Sequence, residues 1–159
     1  MSSMTLCLWF DGQAEEAAKH YKAIFKTKAK ITDVRRHGAA GPGPAGSVMA
    51  VLFEINGQKF MGLNGGPNFK FNEALSLMVF CKTQKEIDYY WERLGEGGSE
   101  IQCGWLKDKF GLCWQIVPDG IWNYVAGKDP EGAARAMKAM MGMVKLDLAA
   151  LKKAYTAKG

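Results

Sequence analysis

Residues 8–25 read LWFDGQAEEAAKHYKAIF. An apolar run of strand formers, Met4 to Phe10, breaks at Asp11-Gly12 and gives way to a different period. Ala14, Ala17, Ala18, Tyr21, Ile24 and Phe25 recur at i, i+3, i+4, i+7, i+10 and i+11, with Glu15, Glu16, Lys19 and Lys22 off that stripe. The spacing predicts a strand followed by an amphipathic helix with one buried face. Glutamates early and lysine late suit the helix dipole.

Downstream, Ile31 to Arg36 reads as extended chain. HGAAGPGPAGS, residues 37–47, carries two prolines and four glycines, which forbid a regular element and predict a mobile surface loop. Val48 to Ile55 is strand-like, Asn56-Gly57 is a hairpin turn, and Gln58 to Leu63 is the returning strand. The first unit is therefore βαβββ.

About 70 residues on, the pattern recurs: Leu75 to Cys81 as strand, then Gln84 to Leu94 as helix with Ile87, Trp91 and Leu94 on one face. Leu8 aligns with Met78, Ala17 with Ile87 and Tyr21 with Trp91, which predicts a tandem repeat. Gly95, Gly97 and Gly98 stop the helix; Ser99 to Trp105 and Leu112 to Val117 supply strands around a turn at Lys107 to Gly111, and Pro118 ends the last. Beyond Asp119 the chain turns helical. Asp129 caps a helix with Pro130 in its first turn. Ala134, Met137, Met140 and Met141 are its expected apolar face, read as packing against the domain or a partner, with an adaptable ligand surface as the other reading. A short last helix runs from about Asp147 to Tyr155. The expected organisation is α+β: residues 1–66 and 67–119 as two βαβββ modules, and 120–159 as a helical tail, all in one globular unit.

Apolar residues make up 48% of 159 and charged residues 23%, enough to bury a core without staples. Twenty-one basic residues against sixteen acidic give +5, but they are dispersed and match no nucleic-acid module, so no nucleic acid partner is expected. Cysteines 7, 81, 103 and 113 and histidines 20 and 37 have no zinc-ligand spacing. Met1 to Phe10 lacks signal-peptide features, and no apolar run reaches membrane-spanning length. A reduced, cytoplasmic protein without membrane partners is the expectation.

Three stretches, LWFDGQAEEAAKHYKAIF, GSVMAVLFEINGQKFMGLNGGPNFKFNEALSLMVFC and CGWLKDKFGLCWQIVP, together resemble the PhnB-like branch of the vicinal oxygen chelate superfamily. Wider members of that superfamily include glyoxalase I, bleomycin-resistance proteins and extradiol dioxygenases. The branch often carries the label 3-demethylubiquinone-9 3-methyltransferase. The resemblance implies glyoxalase-like modules whose mixed sheets curve around a cavity, and a homodimer. In metal-dependent members, one residue on the first and one on the last strand of each module bind a divalent ion through His, Glu or Gln.

Carried over one at a time, those positions are Thr5, anchored on Tyr21, and Met61, anchored on Gly57. In the second module they are Ser76, anchored on Trp91, and Gln115, anchored on the turn Asp108 to Gly111. Only Gln115 is a usual ligand of the family, so no catalytic metal is expected, although a divalent ion stays open as an alternative. Methyl transfer is not expected either. The glycines at 38–46 are broken by Pro42 and Pro44 and precede a strand, and Gly62, Gly65 and Gly66 lead to Pro67, not to a helix.

Period-two alternation extends the lining to Cys7, Trp9, Leu63, Met78 and Cys113, with Asn64, Phe69 and Phe71 in the connecting loop and Trp105 beside the last turn. Glu54 is assigned to the hairpin outside the cavity. Cys113 has flanks, Leu112 and Trp114, that offer no cation to activate a thiolate. No catalytic pair is visible. Three functions remain: a small-molecule-binding protein with a mostly apolar, aromatic cavity; a metal-dependent lyase, isomerase or dioxygenase; or an interaction module using the Met-rich helix.

Overall fold

The computed structural model describes residues 4–157. The chain divides into two compact units, one ending at Phe71 and the other beginning at Asn72.

The first unit runs β1 (Leu6–Phe10), α1 (Ala14–Phe25), β2 (Ala29–Arg36), β3 (Val48–Ile55) and β4 (Gln58–Asn64). The sheet order is β1-β4-β3-β2, with β1 and β4 parallel and the other pairs antiparallel. All six residues of the predicted stripe on α1 are buried. They pack with Leu8, Phe10, Val51, Phe53 and Phe60, the alternate side chains of β1, β3 and β4 that face the helix. Phe53 stacks on Phe60 at 5.2 Å between ring centroids. Asn56 and Gly57 both have positive φ, 50° and 81°, as a two-residue type I′ turn demands. That turn sets Ile55 opposite Gln58 and thereby the register of the whole hairpin.

Gln13 provides no side-chain cap for α1. Asn64, at the end of β4, takes that role from across the sheet: its Oδ1 accepts from Ala14 N at 2.9 Å, and its Nδ2 donates to Val48 O at 3.0 Å. Asn64→Ala is expected to destabilise the protein by about 1–2 kcal/mol through the lost cap and the orphaned carbonyl, measured by urea unfolding. The Gly/Pro loop is folded around His37. Its base is closed by His37 N to Ser47 O (2.9 Å) and Gly46 N to His37 O (2.8 Å), and Gly41 and Gly43 press against the imidazole, so closely at Gly43 that a Cβ would collide with it.

The second unit repeats the topology: β5 (Ser76–Cys81), α2 (Gln84–Gly95), β6 (Ser99–Glu100), β7 (Trp105–Lys107) and β8 (Cys113–Pro118), in the order β5-β8-β7-β6. The chain thus holds two open, four-stranded mixed sheets of identical connection, each with one crossover helix, plus C-terminal helices. This is the α+β arrangement that the periodicity predicts and the glyoxalase-like fold that the resemblance implies.

Two details differ from the sequence reading. The strand expected over Ser99 to Trp105 is split, because Cys103 (φ 60°) and Gly104 (φ 81°) turn the backbone between β6 and β7. The helices repeat with an offset of 70, but the strands are offset by 71: buried Leu8 and Phe10 correspond to buried Val79 and Cys81, not to exposed Met78 and Phe80. The connection into α2 is one residue shorter than that into α1.

The tail forms α3 (Trp122–Val125), α4 (Pro130–Met141) and α5 (Leu148–Thr156). Asp129 and Asp147 cap α4 and α5, their carboxylates accepting from Glu131 N and Ala150 N. Val117, Ile121, Val125, Leu146 and Leu151 form their shared core. The packing face of α4 is Gly132, Ala133 and Ala136, not the predicted methionine stripe. Small residues let α4 approach α5 closely: a Cβ on Gly132 would meet Tyr155 O, and the Arg135 guanidinium donates to Ala154 O and Tyr155 O, both at 3.2 Å. Met140 is half-buried against the shared core, whereas Met137 and Met141 are exposed.

Candidate functional site

Each sheet buries one face under its helix and leaves the other free of it. In the first unit, pairing across the sheet arranges the free face in rows. Glu54 stands opposite Lys59, and Thr5, just before β1, extends that row; Leu52, Met61 and Cys7 form the next; Ala50, Leu63 and Trp9 the third. Lys30 joins the first row from β2, its Nζ 2.8 Å from Glu54 Oε2. Thr32 sits at an irregularity in β2, where its hydroxyl donates to Leu52 O at 3.1 Å. The polar row borders a pocket of about 410 Å³ lined by Thr5, Thr32, Leu52, Glu54 and Lys59, with edges of Phe53 and Phe60.

Glu54 is therefore on the same face as Met61 and beside Thr5, a correction to its assignment outside the cavity. The signal was present in the sequence. A two-residue Asn-Gly hairpin fixes Glu54 against Lys59, and alternation then carries both onto the face of Met61. Leu52 and Lys59 were missed for the same reason, whereas Thr32 lies at the irregularity in β2, which alternation does not place. Glu54 is paired with Lys30, while the Lys59 ammonium makes no ion pair among the described residues. The polar row thus carries a net positive charge.

The aromatic end of the face is held by Trp9. Its Nε1 donates to Gly66 O at 2.8 Å, and Phe69 meets it edge-on at 4.9 Å. Phe71 packs against Phe10, on the helix side, and so does not join Trp9. Asn64 is taken up by the α1 cap described above.

In the second unit, Ser76, Met78, Cys113, Gln115 and Trp105 share the face away from α2. Ser76 pairs with Cys113, Met78 with Gln115, and Gln115 with Trp105. Gln115 Nε2 donates to Ser76 Oγ at 2.8 Å, which joins two of the four carried-over positions directly. By strand register, Thr5 corresponds to Ser76 and Met61 to Gln115, so the four positions are equivalent in pairs.

As donors, these four offer two hydroxyls, a thioether and one amide whose nitrogen end is turned to Ser76. That set does not fit a first-row divalent ion. Among the described residues, no three His, Cys, Asp or Glu side chains come together as a metal-binding group. Cys113 is buried, and Lys107 lies opposite it across the β7–β8 pair, so a cation is at hand that its sequence neighbours do not provide. Burial nonetheless outweighs Lys107 and pushes the Cys113 thiol up; desolvation raises Cys7 as well, so both are neutral thiols near pH 7.

Tandem βαβββ units with an open sheet face in each define a protein of the vicinal oxygen chelate type. Residues 2–117 match the family described as 3-demethylubiquinone-9 3-methyltransferase, and the chain belongs to that PhnB-like family. A PhnB protein from Bacillus cereus, described under the same methyltransferase name, is 35% identical, with a TM-score of 0.66 over 74% of this chain and 99% of its own. A protein from Pseudomonas aeruginosa (18% identity, TM-score 0.61, 75% of this chain and 98% of that one) has the same fold. So does the fosfomycin resistance protein FosX from Listeria monocytogenes, solved with Mn(II) and sulfate (13%, 0.52, 74% and 90%). The chain has no match among the curated proteins. No helix among the described residues is long and apolar enough to cross a membrane.

Proposed function

We propose that this protein binds a small amphipathic anion on the free face of its first sheet, without a catalytic metal and without transferring a methyl group. The row order carries this reading: Lys30, Glu54, Lys59 and Thr5 at one end, Leu52, Met61 and Cys7 in the middle, and Trp9 with Phe69 at the other. Rows two residues apart are separated by roughly 6.7 Å, so head group and aromatic contact lie about 13 Å apart. The uncompensated Lys59 ammonium favours a carboxylate or phosphate-like head. The apolar rows and the Trp9–Phe69 pair favour a flat, apolar body. Against methyl transfer stands the setting of the glycines: the run 38–46 is spent enclosing His37 and leads into β3, not into a helix that could cradle a cofactor.

The test is a thermal-shift panel of planar aryl carboxylates and quinone-like compounds with their neutral esters, followed by titration calorimetry on the hits. An anion is expected to bind at least tenfold more tightly than its neutral ester, and Lys59→Gln is expected to remove that difference, about 1.4 kcal/mol. Equal binding of acid and ester, or an unchanged Lys59→Gln variant, contradicts the reading. No shift with any compound favours an interaction module instead.

A further inference from the structure

The methionines that the helix packing leaves outside meet a thiol. Cys103 Sγ lies 3.8 Å from Met141 Sδ. Met141 is 57% exposed, and Met137, one turn back on the same side of α4, is 37% exposed. The backbone, not side-chain chance, brings this sulfur pair together. Cys103 N donates to Met143 O and Gly104 N to Val144 O, both at 2.8 Å, stapling the turn at 103–104 to the chain that leaves α4. Cys103 holds φ 60° to make that turn.

Met141 is a large thioether left in water next to a thiol, which a packing role does not require, since Gly132, Ala133 and Ala136 already fill it. Two sulfurs sharing one ion, with bonds of about 2.3 Å and a near-tetrahedral angle, stand about 3.8 Å apart. Thioethers reject hard cations and take soft ones. We propose that Cys103 and Met141, with Met137 closing the set, form a site for a soft monovalent ion of the copper(I) or silver(I) class. On binding, the Cys103 thiol gives its proton to solvent and a sulfur–metal bond forms. The two thioethers donate lone pairs, and no oxidation state changes. Nothing in this site draws on the ligand face of the first sheet.

The test uses Cu(I) supplied anaerobically with a chromogenic chelator as competitor. Cys7→Ser serves as the background, because Cys7 is an exposed thiol, whereas Cys81 and Cys113 are buried. That protein is expected to hold one equivalent of Cu(I). Met137→Leu with Met141→Leu, which keeps volume, is expected to weaken binding at least tenfold with the melting temperature unchanged within 2 °C. Cys103→Ser is expected to abolish it. Retention of the ion by Cys103→Ser overturns the proposal. So does a double-leucine variant that binds within twofold of its parent, because capture then needs the thiol alone.

Discussion

Asp108→Ala is expected to lower stability by about 3–5 kcal/mol, or roughly 8–15 °C in melting temperature for a chain of this length. Among the described residues, Asp108 is the buried charged side chain of the core, 2% exposed. Its Oδ1 accepts from Phe110 N at 2.9 Å and Leu112 N at 3.0 Å, and its Oδ2 accepts from the indole Nε1 of Trp114 at 2.9 Å. Gly111, at φ 86°, closes the same turn through its own N–H to Asp108 O. Alanine removes the Asp108 acceptor from all three donors, those of Leu112 and Trp114 in buried bonds, and each lost bond costs on the order of 1–3 kcal/mol. Asparagine separates the contributions: its single carbonyl oxygen can keep the turn, but its amide meets the Trp114 N–H donor to donor. Asp108→Asn should therefore fall between wild type and alanine. An alanine variant within 1 kcal/mol of wild type in urea unfolding would show that the carboxylate does not organise the β7–β8 connection.

Tyr21→Ala should cost about 3–5 kcal/mol, the range for emptying a large aromatic site in a packed core. Tyr21 is fully buried at the centre of the α1 stripe, its ring 6.1 Å from that of Phe53, which in turn stacks on Phe60. Neither helix nor sheet can close the space without giving up the other's contacts. Tyr21→Phe keeps the ring and should cost far less. Equal losses in the two variants, read from chemical denaturation, would assign the effect to the hydroxyl and not to the packing.

The elements were legible where one local rule decided them. The α1 stripe is read by helical period alone, and its six positions are the six buried residues of that helix. Asn56-Gly57 announces its own turn type. Legibility failed where two segments had to be compared. The one-residue slip between the strand repeats arises from a shorter connection into α2, invisible to a fixed offset of 70. Cys103 and Gly104 interrupt a strand because their N–H groups are claimed by Met143 and Val144, some forty residues later. On α4, apolar side chains suggested the packing face, but close approach to α5 selects small ones.

For the site, the four positions carried over from the resemblance and the alternation around them put Thr5, Cys7, Trp9, Met61 and Leu63 on one face and Ser76, Met78, Cys113 and Gln115 on the equivalent face of the second sheet, where Trp105, read beside the last turn, also lies. Asn64 and Phe71, read into the connecting loop, are instead held by the N-terminus of α1, at the end of β4, and by Phe10. The charged row went unseen because Glu54 was not followed across the hairpin to Lys59.

Amide chemical-shift mapping with a bound aryl carboxylate tests the central claim most directly. Shifts should concentrate at Thr5, Thr32, Leu52, Glu54 and Lys59 and extend to Met61, Leu63 and the Trp9 indole. Shifts confined instead to the groove of about 440 Å³ along Trp91, Arg93, Glu96 and Glu100 would contradict a ligand site on the free face of the first sheet.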